Sequence, residues 1–215
     1  MSQRLYRKVN PRRRAAGAHT RAAILAAAER VFARSGLAGA RTDLIAAKAG
    51  VNKALLYYYF QSKEKLYHAV LEDHFEQFNR QALEVLEGPG SAREVLLRYV
   101  GLHFDFISAR HRHAPLFQQF MCAGGRFSEG LVRKYFEPRG RAVARLLERG
   151  MREGDFRHAD RFHTAISIVA LIVFYFSAAP VLQMLGHADA YAATSLKSRR
   201  QEVLDFIRHA LFVRP

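Results

Sequence analysis

Three consecutive tyrosines, Tyr57, Tyr58 and Tyr59, lie between Lys53 and Lys63 in the stretch KALLYYYFQSK. Phenol hydroxyls donate and accept hydrogen bonds, and ammonium groups donate to anions. With Arg41 and Thr42 shortly before them, these residues have the chemistry to hold phosphates and touch base edges. Bond-making chemistry finds no comparable constellation. Gly124 and Gly125 lack the surrounding pattern of a phosphate-binding loop, and no nucleophile elbow is present. His103, His111 and His113 lack zinc-site spacing, and on a helix 111 and 113 point to opposite sides. Neither an enzyme nor a metal or cofactor site is expected.

The elements that must position these residues are short helices. Thr42 is placed to cap a helix over DLIAAKA, with Leu44, Ile45 and Ala49 inward. Gly50 supplies the left-handed conformation of a sharp turn. Asn52 is placed to cap a second helix over 53–60. Short helix, glycine turn, short helix is the helix-turn-helix pattern, whose second helix enters the major groove of DNA. Successive helix residues lie about 100° apart. Leu56 and Phe60, four apart, therefore share the inward stripe, and Tyr58 points away from it. Tyr57 and Leu55 flank the stripe, and Tyr59 leans partly inward. Ala54, Leu55 and Tyr58 beside Lys53 make a face suited to a groove, in which apolar groups touch thymine methyls and tyrosine hydroxyls reach phosphates. The same face would also suit another protein surface, and spacing alone leaves that alternative open.

Charge points the same way. The formal net charge is +15, and residues 1–63 carry 13 Lys or Arg against two acids, Glu29 and Asp43. The remaining residues carry 21 against 17. A basic first third suggests a polyanion as its partner. Residues 1–17 read as a basic, flexible tail holding Arg4, Arg7, Lys8 and Arg12 to Arg14. Two readings of it stay open: an arm entering the minor groove, or a solvated segment adding non-specific affinity. The single cysteine, Cys122, excludes an intramolecular disulfide and fits a reducing compartment. The first twenty residues lack the apolar run of a secretory signal. A cytoplasmic protein is expected.

The remainder reads as helical. A helix from Thr20 to Ser35 carries Ile24, Ala28, Val31 and Phe32 at helical spacing, and Gly36 ends it. A long helix runs from Lys63 to about Glu87. GPGS at 88–91 is a break, after which Ser91 and Glu94 form a capping-box pattern. Helices follow at about 91–110, 115–123, 128–136, 138–153, 160–185 and 199–213, with Pro115 and Pro138 in first turns and Asp160 as a cap. Residues 164–186 carry no formal charge. That approaches the length of a membrane span, but its polar residues and Pro180 favour a helix buried between its own core and a partner.

At this point a family resemblance is specific. Residues 36–72, GLAGARTDLIAAKAGVNKALLYYYFQSKEKLYHAVLE, resemble the DNA-binding segment of the TetR family of bacterial transcriptional regulators. The family pattern falls on Thr42, Ile45, Ala46, Ala49, Gly50, Val51, Leu56, Tyr57, Tyr59, Phe60, Ser62, Lys63, Glu64 and Leu66. The first-helix pattern falls on Ile24, Ala27, Ala28, Phe32 and Gly36. Asn52 stands where serine is usual, Ala54 where glycine is frequent, and Leu55 where a small polar residue is common. The resemblance implies an all-α protein with a three-helix helix-turn-helix DNA-binding domain at 18–65 and a helical ligand-binding and dimerisation domain at 66–215. It implies a homodimer on a palindromic double-stranded operator, most often a repressor released by a small molecule. Phosphate-contact positions fall on Thr42, Tyr57, Tyr58 and Lys63, with Arg41 beside the helix N-terminus. Base-facing positions fall on Lys53, Ala54 and Leu55.

In the second domain the residues themselves suggest the sites. Tyr99 and Phe106 share a stripe with Val95 and Leu102. With Phe117, Phe120, Met121 and Tyr175, and with Tyr135 and Phe176 nearby, they are candidates to line a pocket for an apolar or aromatic effector. The last two helices are expected to build the dimer through Val169, Val173, Val203, Phe206, Ile207 and Ala210. Two other classes remain open from sequence alone: a non-specific DNA binder, and an enzyme or carrier with an incidental helix-turn-helix.

Overall fold

The computed structural model describes residues 11–111, 114–123, 126–186 and 189–214, and within these the side chains of 11–15, 114, 115, 117, 122, 123 and 126–128 are left aside. Residues 1–10 of the basic segment therefore lie outside the described residues. The chain divides into two compact units, residues 1–71 and 72–215. Every described element is helical, apart from one isolated antiparallel bridge between Phe156 and Phe212.

The first unit is built on α1 (Pro11–Gly39), α2 (Thr42–Ala49), α3 (Lys53–Phe60) and the start of α4 (Lys63–Leu86). Ile24, Ala27, Ala28, Val31 and Phe32 recur at spacings of three and four, and all are buried. Against them lie Ile45 and Ala46 of α2, Leu56 and Phe60 of α3, and Leu66 and Val70 of α4. The Phe32 ring meets Tyr67 edge-on at 5.1 Å.

Two expectations for α1 need correction. The helix starts at Pro11, not at Thr20, so Thr20 is not its cap. The Thr20 hydroxyl donates instead to the Ala16 carbonyl one turn back, as a mid-helix threonine does. Residues 11–17, read as flexible tail, are the first two turns of this helix, with Pro11 at a position that needs no donor. Gly36 does interrupt it, at φ 64° and ψ 179°, a region essentially reserved for glycine.

The second unit comprises the rest of α4 with α5 (Ala92–Ala109), α6 (Ala114–Ala123), α7 (Arg126–Leu131), α8 (Glu137–Arg152), α9 (Arg161–Met184) and α10 (Ala193–Leu211). A π-helical turn, Val132–Phe136, joins α7 directly to α8. Pro138 therefore falls in the first turn of a continuing path rather than opening a separate helix. One core joins Phe78, Ala82 and Leu86 with Val95, Leu96, Tyr99, Val100 and Phe104. Leu146, Leu147, Ile168, Ile172, Phe176, Val203 and Ile207 complete it. The Ser91–Glu94 capping box forms, with both reciprocal hydrogen bonds. Asp160 accepts from the His163 N–H at 2.7 Å and caps α9.

The C-terminus is sewn to the end of α8. The Arg157 N–H donates to the Leu211 carbonyl, and Val213 donates to Asp155. The Phe156 and Phe212 rings stack at 5.5 Å. Gly150 makes this possible, because a Cβ there would overlap the Phe156 ring.

Within the single chain, α9 is covered on one side. Only Ile168, Ile172, Phe176 and Ala179 are buried, at spacings of four, four and three, which is one stripe. Pro180 does not break the helix, which continues to Met184. Among the described helices, α9 is the one long and apolar enough to cross a membrane by length and composition. Its buried stripe is that of a helix packed on a core.

Candidate nucleic-acid interface and internal cavity

α2, the Gly50 turn and α3 put the sequence-predicted residues on one side of the first unit. Gly50 takes φ 67°, and the Val51 N–H donates to the Ala46 carbonyl at 3.0 Å, which reverses the chain in a left-handed turn. The Asn52 side chain accepts from the Leu55 N–H at 2.8 Å and starts α3. Leu56 and Phe60 anchor it from below, and the Arg21 guanidinium lies 5.3 Å from the Phe60 ring. Tyr58, opposite the anchors, is 78% exposed. Its ring meets Tyr59 edge-on at 5.4 Å, and Tyr59 is half-buried. Ala54 is fully outward and Leu55 is half-buried.

Arg41, Thr42, Tyr57 and Lys63 converge on a shallow polar recess of about 440 Å³ at the start of α2, shared with Asp43, Ser62 and Glu64. Thr42 is buried and does not cap α2. Its hydroxyl oxygen lies 3.3 Å from the Tyr57 hydroxyl and holds that ring over the recess. The Lys63 ammonium donates to the carbonyls of Ala38 and Ala40 at 3.2 and 3.3 Å, tying the entrance of α2 to the start of α4. Free backbone N–H groups at the α2 N-terminus, a guanidinium, an ammonium and a phenol around one recess can hold an anion.

Lys53, at the outward N-terminal end of α3, forms an ion pair of 3.0 Å with Asp43. The hydrogen bond that Lys53 donates to the Asp43 carboxylate, and then that carboxylate's charge, raise the Lys53 pKa. The pair is well exposed, so it is a weak tether that a competing anion can replace. Lys53, Ala54, Tyr57 and Tyr58 are outward on this side, where Asp43 and Glu64 also place two carboxylates at the recess.

The second unit contains a half-open cavity of about 1050 Å³, with walls from α6, α8 and α9. Of the six residues expected to line a pocket, Tyr99 and Met121 do so. Phe106 does not. It is buried against His74 and Phe78, with the Arg110 guanidinium 4.1 Å from its ring. Phe120 packs on Phe75 and Phe136. The Tyr175 hydroxyl donates to the Ala190 carbonyl at 2.8 Å, which turns the side chain away from the cavity. Phe117 falls among the side chains left aside.

Val169 and Val173, expected at a subunit interface, are exposed on α9 and line this cavity. Val203 and Ile207, also expected there, are enclosed in the core of their own subunit and have no surface to offer a partner. Phe206 is 58% exposed and Ala210 is exposed beside it, flanking a groove between α9 and α10.

Sequence reasoning missed Phe136, Arg139, Gly140, Val143, Phe162 and Ile166 on the cavity wall. A signal was present for one of them. Arg139 shares an inward stripe with Val143, Leu146 and Gly150, a charged residue where the periodicity calls for an apolar one.

Of the three histidines singled out in the sequence, His103 and His111 are among the described residues. His103 is buried beside Phe78 and Tyr99 and its pKa is pushed down to about 3, first by burial and then by the Arg139 charge. His111 stacks on Tyr191 at 4.3 Å. His113 and Gly124–Gly125 lie outside the described residues. Among the described residues, no three His, Cys, Asp or Glu cluster as metal ligands.

Comparison with known proteins bears on both regions. Residues 24–70 match the model of bacterial regulatory proteins of the tetR family, and residues 93–207 match that of the tetracyclin repressor-like C-terminal domain. The HTH-type transcriptional repressor NicS of Pseudomonas putida is 34% identical over 164 residues, 73% of this chain and 75% of that one. A transcriptional regulator from Saccharomonospora viridis in complex with choline superposes with a TM-score of 0.74 at 23% identity, covering 92% of this chain and all of that one. AibR, in complex with isovaleryl coenzyme A and operator DNA, superposes with a TM-score of 0.72 at 15% identity, covering 87% of this chain and 97% of that one.

Proposed function

The chain belongs to the tetR family of bacterial regulatory proteins, a DNA-binding transcriptional regulator and not an enzyme, and from that premise we propose that it is a repressor that binds a palindromic operator as a homodimer and is released by a small molecule. The observation that carries the reading is the geometry of α3. Leu56 and Phe60 are spent on the core, so Lys53, Ala54, Leu55, Tyr57 and Tyr58 are left facing outward on a short, capped helix. The recess formed by Arg41, Thr42, Tyr57 and Lys63 supplies a seat for a backbone phosphate beside it. Two copies would place two such helices in successive major grooves, about 34 Å apart. The exposed Phe206 and Ala210, beside the groove between α9 and α10, supply surface for that pairing.

The effector site of this proposal is the cavity of the second unit. Linkage gives the mechanism: a molecule that binds there favours a conformation whose two recognition helices no longer match the groove spacing. Operator DNA then weakens effector binding by the same factor. The cytoplasm is the compartment this activity requires. Among relatives of the same fold, one structure holds choline and another holds isovaleryl coenzyme A together with operator DNA. Both are consistent with a cavity that serves as a sensor.

The test is a footprint on the DNA flanking the protein's own gene. The expected result is a protected segment with two-fold sequence symmetry, lost in Tyr58→Ala with the fold intact. Equal binding to random duplexes, with a steep dependence on salt, would instead make the protein a non-specific DNA binder.

A further inference from the structure

The cavity of the second unit is almost wholly apolar, yet Arg139 forms part of its wall. Its guanidinium lies 4.9 Å from the Phe78 ring centroid and 4.9 Å from that of Phe136, so aromatic rings fix its position. Its Nη1 is sealed from solvent and has no hydrogen-bond partner. Tyr99, also on the wall, is the polar side chain that faces it, and no carboxylate among the described residues stands within ion-pair distance. The other half-buried arginines with one orphaned nitrogen are differently placed. Arg149 donates to the Gly90 carbonyl and Arg199 to the Leu171 carbonyl through their remaining nitrogens. The second cation on the wall, Arg161, is already paired with Glu148.

A buried guanidinium without a counter-ion is unfavourable unless something supplies one. Burial disfavours its charge, yet an arginine side chain does not give up its proton in a protein. Beside it His103 is held neutral, first by burial and then by the Arg139 charge, so it adds no second positive charge there near neutral pH. The rest of the wall is mainly apolar, with Val143, Ile166, Val169, Val173 and Phe174 on it and Gln118 and Ser177 as its uncharged polar side chains besides Tyr99.

We infer that the cavity selects an organic anion, a carboxylate carried on an apolar or aromatic body, with Arg139 as the counter-ion and Tyr99 as a second donor. This rests on the reading of the cavity as the effector site and specifies which class of molecule enters it. A carboxylate accepts strong charge-assisted bonds from a guanidinium, while its body displaces water from the apolar wall.

Matched probes test it, with binding to the full-length protein followed by calorimetry at neutral pH. The pairs are 2-naphthoate with 2-naphthol, and decanoate with decanol. Each acid is expected to bind roughly tenfold to a hundredfold more tightly than its alcohol, the range of a hydrogen bond to a charged partner. Arg139→Met, which keeps the apolar stem, is expected to remove that preference while 2-naphthol binding persists, and Arg139→Lys to restore part of it. Persistent alcohol binding also shows that the variant is folded. Gly140→Phe, whose Cβ enters open space, projects a ring into the cavity and is expected to weaken binding of both members. Equal affinity within each pair, or a preference that survives Arg139→Met, overturns the anion assignment and leaves the effector site standing. Absence of binding by all four probes, or binding unchanged in Gly140→Phe, overturns both the assignment and the cavity as the effector site.

Discussion

Tyr58 and Tyr57 differ by one position and by what their hydroxyls do. Tyr57 is held by Thr42, whereas Tyr58 projects from α3 with its ring supported only edge-on by Tyr59. Removing Tyr58 therefore takes away an exposed ring and hydroxyl and almost no packing. Tyr58→Ala is expected to weaken operator binding about tenfold, near 1.4 kcal/mol, with an unchanged thermal midpoint. Fluorescence anisotropy on the footprinted segment, beside a circular dichroism melt, measures both. Leu55 carries a sharper expectation, because an aliphatic side chain facing base edges reads thymine methyls. Replacing the contacted thymine by uracil, which lacks only the methyl, is expected to lose about 0.8 kcal/mol, roughly fourfold in affinity. A Leu55→Ala variant should bind thymine and uracil operators equally well.

The elements around these residues hold their geometry through backbone conformation. Gly50 at φ 67° has open space where a Cβ would go, so Gly50→Ala is strained only by its backbone. That is expected to lower stability by about 1–2 kcal/mol in urea unfolding. Gly150 is the contrasting case. Its backbone is ordinary helix, but a Cβ would overlap the Phe156 ring. Gly150→Ala must displace that ring and its stacking on Phe212, with an expected loss of about 1–3 kcal/mol. An unchanged unfolding midpoint in Gly150→Ala would show that the Phe156 ring yields without loss of packing.

At the scale of the whole molecule, a buried base makes stability depend on pH. His103 has a folded-state pKa of about 3 against an ordinary 6.5, so the native protein excludes a proton that the unfolded chain binds. Its contribution is fully present above about pH 6.5 and is lost progressively as pH falls towards about 3, by at most about 1.4 kcal/mol per pH unit. His103→Leu is expected to flatten that part of the stability profile in denaturant titrations between pH 6.5 and 4. Assembly is the other property at this scale. The chain is 24.5 kDa, and gel filtration with light scattering is expected to give twice that mass. Phe206→Glu places a charge on the exposed side of α10 and is expected to shift the protein to monomer, with operator affinity falling in step.

The α2–Gly50–α3 arrangement was legible in the sequence because it is local. A cap, a left-handed glycine and anchors four residues apart fix two short helices whatever surrounds them, and the exposed side follows from the anchors. The helical class of the rest was legible from periodicity for the same reason. Where α1 begins was not, since Thr20 has the composition of a cap and only the continuing helix before it turns its hydroxyl back to Ala16. The cavity was not legible either. Phe106, Phe120 and Tyr175 resemble pocket residues in composition, but neighbours distant in sequence decide whether an aromatic ring fills a core or faces a void. Val169 and Val173 show the same limit, for a valine on an apolar helix suits a partner, a core or a cavity equally well. Arg139 lies between the two cases. Its sequence position marks it as a charge on an inward stripe, and only the packing of Phe78, Phe136 and Tyr99 leaves that charge without a partner. The sequence alone therefore determined the chemistry of the DNA-facing helix, because periodicity within one short element settles which side chains are free. Tertiary structure alone decided what the second unit encloses, because an enclosed volume is a property of helices brought together and of no one of them.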